Sequence, residues 1–99
     1  MKGVFLAHII LPDEFNQKFY ELIPAQRALI NNLLEQRIVL SYSLDMERKN
    51  VWVFMEALNE QKVMDVLSTF PIIQYVKVSI QELAFLEFGP KNLPKLILN

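Results

Sequence analysis

The chain has no cysteine and one histidine among its 99 residues. That excludes a disulfide scaffold and thiolate catalysis, removes the usual structural zinc sites and leaves little for any transition-metal centre. Neither sign of charge dominates, with 10 Lys and Arg against 11 Asp and Glu. No segment gathers several bases, so the electrostatic footprint of a nucleic-acid binder is missing. No apolar run approaches the roughly 20 residues of a membrane span. The apolar stretch near the N-terminus is preceded only by Lys2 and followed by Pro12-Asp13, without a small-residue cleavage site, so it does not read as a signal peptide. The expectation is a cytoplasmic protein with no metal, no cofactor, and neither nucleic acid nor membrane as partner.

Apolar residues, by contrast, are plentiful: 53% of the chain is hydrophobic and 21% charged. A chain of this length builds one core, and this composition leaves apolar surface over for subunit contacts. A homodimer or higher homo-oligomer is therefore expected.

Val4 to Leu11, "VFLAHIIL", is rich in branched residues and stops at Pro12, which reads as a strand buried on both faces. Asp13 is then the expected cap of a helix. Phe15, Phe19 and Leu22, then Leu29, Ile30, Leu33 and Leu34, recur at helical spacing around Pro24. This predicts two helical pieces, or one bent helix, ending near Arg37. In "IVLSYSL", Leu40, Tyr42 and Leu44 alternate with Ser41 and Ser43 as in a strand with one apolar face. The polar "DMERKN" turns the chain, and Val51 to Ala57 makes the second arm of a hairpin. Asn59 caps a second helix with Val63, Val66, Leu67 and Phe70 on its apolar stripe, closed by Pro71. A fourth strand is expected from Tyr75 to Leu86.

The order β-α-β-β-α-β points to an α+β fold, the ferredoxin-like split βαβ: a four-stranded antiparallel sheet with both helices on one face. The domain spans 1–88, and 89–99 is a C-terminal tail that docks on a neighbouring subunit or frays. The uncovered face carries Trp52 and Phe54 and needs a partner, and pairing two such faces gives a dimeric α+β barrel around a central cavity.

From Asn50 the chain reads "NVWVFMEALNEQKVMDVLSTFPIIQYVKVSIQELA". This resembles the muconolactone delta-isomerase family without a gap: Asn-Val opening a strand, a capped helix carrying Leu67-Ser68, then Pro71 and Tyr75 leading to Leu83-Ala84. The earlier half is similar in plan, with Leu11-Pro12 before a helix that runs into the second strand. The resemblance implies the ferredoxin-like fold, association through sheets, and the shift of a double bond in a small unsaturated lactone bearing a carboxylate. Ser41, Tyr42 and Ser43 stand where that family carries arginines, Phe85-Leu86 stand in place of its Arg-His, and His8 stands where it tends to have an acid. The implied protein is a relative with a different substrate, or with none.

Ala7 shares its side of the first strand with Phe5, Ile9 and Leu11, which suits packing under the helices and turns His8 outward with Leu6 and Ile10. Trp52, Phe54 and Glu56, and Tyr75, Lys77, Ser79 and Gln81, are expected on that same open face. As a catalyst, His8 is a general acid or base, because an imidazole exchanges its proton near neutral pH. Glu56 or Lys77 then orients it or meets enolate charge, and Ser41, Ser43, Trp52, Tyr75 and Ser79 contact a small-molecule ligand. As a packing residue, His8 instead hydrogen-bonds a serine, tyrosine or glutamate across a dimer interface, the commoner fate of a lone histidine on an apolar strand. In that reading Trp52 and Phe54 fill the interface, Lys77 and Glu56 form an exposed cross-strand pair, and the protein is a non-catalytic binding or structural oligomer. A haem-oxidising monooxygenase of the same general fold finds one histidine and no other clear ligand.

Overall fold

A computed structural model describes residues 1–90 of the chain. The elements run β1 (Gly3–Ile10), α1 (Gln17–Glu35), β2 (Val39–Leu44), β3 (Asn50–Ala57), α2 (Glu60–Leu67) and β4 (Lys77–Leu83), with a 3-10 turn at Ile73–Tyr75. The strands make one antiparallel sheet in the order β2-β3-β1-β4. This is the ferredoxin-like α+β arrangement, with β1 inside the sheet. Of the expected tail at 89–99, residues 91–99 lie outside the described residues. No helix among the described residues is long and apolar enough to cross a membrane.

One face of the sheet is closed. Phe5, Ala7 and Ile9 from β1 and Val51, Val53 and Met55 from β3 are buried with Phe19, Ile30 and Leu33 of α1 and Val63 and Leu67 of α2. Period-two strands and period-3.6 helices thus bring their apolar residues to one seam.

Helix α1 starts later than Asp13 would allow. Asn16 is the cap, its Oδ1 accepting from Phe19 N at 2.8 Å. Phe15 just before it packs edge-on against Tyr20, with ring centroids 5.5 Å apart. A capping side chain plus an apolar clasp across it fixes the entry angle, and Asp13 has neither. The helix then runs continuously through Pro24. It ends at Glu35, where Arg37 takes a left-handed φ of 62° and Ile38 N donates to Leu33 O at 3.0 Å. That is a Schellman ending built on arginine where glycine is usual.

Two strand boundaries differ from the periodic pattern. A bulge between Val39 and Ser41 brings Val39, opposite Met55, into the core in place of the expected Leu40, while Tyr42 and Leu44 keep the core side opposite Val53 and Val51. Strand β4 is shorter at both ends than expected. Tyr75 N donates to Ile72 O at 2.9 Å in the 3-10 turn, and Leu83 pairs with Val4, one residue from where β1 begins. Beyond it Phe85 and Phe88 are exposed.

Candidate functional site

Antiparallel pairing fixes what the open face presents. His8 lies opposite Trp52 on one side and Ser79 on the other; Leu6 lies between Phe54 and Gln81, and Ile10 between Asn50 and Lys77. On the outer side of β3, Ser43 faces Trp52 and Ser41 faces Phe54. The face is amphipathic, with Leu6, His8, Trp52 and Phe54 half-buried and Lys77, Ser79 and Gln81 exposed.

His8 is held on two sides. Its ring stacks on Trp52 with centroids 5.5 Å apart and planes within 4°. Its Nε2 lies 2.8 Å from Asn50 Oδ1, and Asn50 Nδ2 donates to Asp45 Oδ2 at 2.9 Å. The hairpin loop makes this chain possible. Asp45 Oδ1 accepts from Lys49 N at 2.8 Å and Asn50 N at 3.1 Å, and Asp45 O accepts from Arg48 N at 3.0 Å. Arg48 turns the loop with a φ of 60°, and Lys49 O accepts from Leu11 N at 2.9 Å, which pins the loop to the end of β1. The Asn50 side-chain bond, followed by the two backbone N–H donors, holds the Asp45 carboxyl below the usual aspartate value.

These contacts decide a tautomer. An ionised carboxylate only accepts, so the Asn50 amide turns its NH₂ to Asp45 and its oxygen to His8. Nε2 of His8 must then carry a hydrogen, and in the neutral ring Nδ1 keeps the free lone pair. Chemically, the arrangement is an oriented imidazole whose positive form is met by a carboxylate through one amide.

Of the expected site residues, His8, Trp52 and Ser79 come together, with Ser43 beyond Trp52 and Lys77 diagonal to His8. Ser41 is one pair further along, opposite Phe54. Glu56 shares the face but stands opposite Val4, four residues from His8 along β1, or roughly 13 Å at strand rise, too far to orient the ring. Lys77 stands at the other end, opposite Ile10, so it does not pair with Glu56. Tyr75 is off the open face. It belongs to the 3-10 turn, and its ring meets Phe19 of α1 edge-on at 5.7 Å, because the turn rotates it out of the strand's alternation. Asn50 and Asp45, the two residues that touch and orient the His8 system, read in the sequence as a strand opening and a solvated loop. Their signal was parity: Asn50 alternates with Trp52, Phe54 and Glu56, and so belongs to the open face.

No family model and no curated protein matches the sequence. Solved structures do match. The chain is similar to an uncharacterized protein, TM1266, from Thermotoga maritima, with a TM-score of 0.56 and 14% identity, over 84% of this chain and 99% of that one. A likeness at that identity is one of fold alone.

Proposed function

We propose that the open face is a proton-transfer site in a homo-oligomer, and that the protein is a muconolactone-isomerase-like, cofactor-independent isomerase of a small unsaturated acid or lactone. The observation that carries this reading is the Asp45–Asn50–His8 chain, with the imidazole ring stacked on Trp52. The resemblance of the stretch from Asn50 onward supports the reaction class.

Moving a double bond within such a substrate needs one base that takes a proton from carbon next to a carbonyl and returns it further along the conjugated system. Nδ1 of His8 is the nitrogen left for that task, and no co-reactant enters the balance. The charge the ring gains is met by Asp45 through the Asn50 amide. Lys77, diagonal to His8 across the β1–β4 pair, is the cation for a carboxylate or a developing enolate oxygen. Ser79 and Ser43 supply hydroxyls on either side of the His8–Trp52 pair. A second copy seated on this face covers Leu6 and Phe54 and excludes the water that weakens such electrostatics.

A non-catalytic oligomer is the second reading, favoured by the half-buried apolar residues Leu6, Trp52 and Phe54 around His8. The two are separated by incubating the protein in D₂O with a panel of unsaturated lactones and acids and following deuterium entry beside the carbonyl by NMR. Exchange or isomerisation that falls by about 10²-fold or more in His8→Gln supports the catalyst. No exchange with any member of the panel, or exchange indifferent to His8→Gln, leaves the binding or structural oligomer.

A further inference from the structure

The buried stripe of α1 recurs at Phe19, Ile30 and Leu33, and Gln26 stands on it at heptad spacing from the first and last of these. Only 4% of Gln26 is exposed, yet neither its Nε2 nor its Oε1 has a hydrogen-bond partner. An aliphatic side chain would fill this place without orphaned groups, so the amide is costly to the bare fold. The residue borders a cavity of about 460 Å³ between α1 and the β2 side of the sheet, with both amide atoms covered, and that volume is within the size range of small-molecule sites. The cavity lies on the helix side, so it is distinct from the face that carries His8.

Its lining divides by chemistry. Phe15 and Ile23 from the helix side and Leu44 from β2 make apolar walls, while Arg27, Arg48 and Tyr42 bring polar groups to it. No Asp or Glu lines it among the described residues. Two guanidinium groups without a lining carboxylate complement an anion. Burial pushes the Tyr42 phenol up, partly offset by the Gln26 amide and the Arg27 charge, so it remains a neutral donor at neutral pH. The Gln26 amide stands beside that phenol, near enough to act on it, and makes no hydrogen bond of good geometry.

We infer that this cavity binds a small organic monocarboxylate whose apolar, ring-sized body carries one hydroxyl or carbonyl oxygen. The carboxylate meets Arg27 and Arg48, the body lies along Phe15 and Ile23, and the oxygen pairs with the Gln26 amide as that side chain turns toward the cavity. A bound oxygen of this kind satisfies the amide that the empty fold leaves unpaired.

The test uses the ¹⁵N-labelled full chain, titrated with hydroxyphenylpropanoate and, separately, with its neutral amide. Saturable shifts of the Gln26 side-chain NH₂ and of Tyr42, with the His8 and Trp52 signals unmoved, are the expected result. The neutral amide should bind about tenfold more weakly, and Arg27→Gln combined with Arg48→Gln should produce a similar loss. Both arginines are exposed, so that variant keeps the fold. The inference is overturned by an unmoved Gln26 signal, by equal binding of acid and amide, or by shifts confined to the open face. Contacts from residues 91–99 or from a second copy to the Gln26 amide in the ligand-free protein would equally overturn it.

Discussion

Asn50 bridges two residues that sit on different elements: its Oδ1 is 2.8 Å from His8 Nε2 on β1, and its Nδ2 is 2.9 Å from Asp45 Oδ2 in the hairpin loop. The middle group of this chain has a fixed polarity because its far neighbour only accepts. The histidine's tautomer is therefore set from the loop.

Nitrogen-detected NMR of the imidazole reads this directly, since the chain has one histidine. In the neutral ring the hydrogen is expected on Nε2. Asn50→Leu should remove the preference and return the ring to a mixture of tautomers. A wild-type ring protonated mainly on Nδ1 would show that the Asn50 amide is turned the other way.

Asp45 gives an acid-side signature. Its carboxyl is held below its ordinary value of 3.8, first by the Asn50 amide and then by backbone N–H groups of Lys49 and Asn50. A depressed folded value means that the ionised form stabilises the fold fully above the ordinary value and ceases to as pH falls through the lower, folded one. The urea midpoint of the wild type should therefore exceed that of Asp45→Asn by a constant amount above about pH 5, with the gap closing in stronger acid. A gap that persists unchanged in strong acid would mean that the charge of Asp45 is not what holds the loop.

Gln26→Leu should stabilise the ligand-free protein. The substitution removes a donor and an acceptor buried without partners and keeps an apolar side chain on the stripe, so a gain of about 1–2 kcal/mol is expected in denaturant unfolding. A loss of stability would show that the amide finds its partners in solution.

Leu6 and Ala7 are adjacent and should behave oppositely. Ala7 is fully buried under the helices, and Ala7→Leu should cost about 1–3 kcal/mol by overpacking. Leu6→Lys changes a half-buried position on the open face, so the folded subunit should stay within about 0.5 kcal/mol of the wild type. If that face joins subunits, sedimentation should show Leu6→Lys as a monomer where the wild type is an oligomer. A register slip of one residue would exchange the two outcomes.

Much of the fold was legible because its residues report on themselves. The alternation through Val51, Trp52, Val53 and Phe54 and the outward placement of His8 follow from the two-residue period of a strand, whatever its neighbours. Asn59 capping α2, with its Oδ1 2.9 Å from Lys62 N, is an equally local fact. The boundaries that moved involve competition between local signals. Asp13 and Asn16 are both acceptable caps, and the clasp of Phe15 on Tyr20 selects the second. The serines of β2 advertise regular alternation, but the bulge beside Val39 puts Val39 into the core in place of Leu40.

The element order, the one-sided core and the face to which His8 belongs were determined by the sequence alone, because periodicity and caps act within a few residues. Which groups meet was decided only by the tertiary structure. Strand register set Glu56 and Lys77 at opposite ends of the face and brought Asn50 to His8. Packing of α1 over β2 left Gln26 buried beside an open cavity. Such meetings depend on pairing between residues far apart in the chain, and neither composition nor period carries that information.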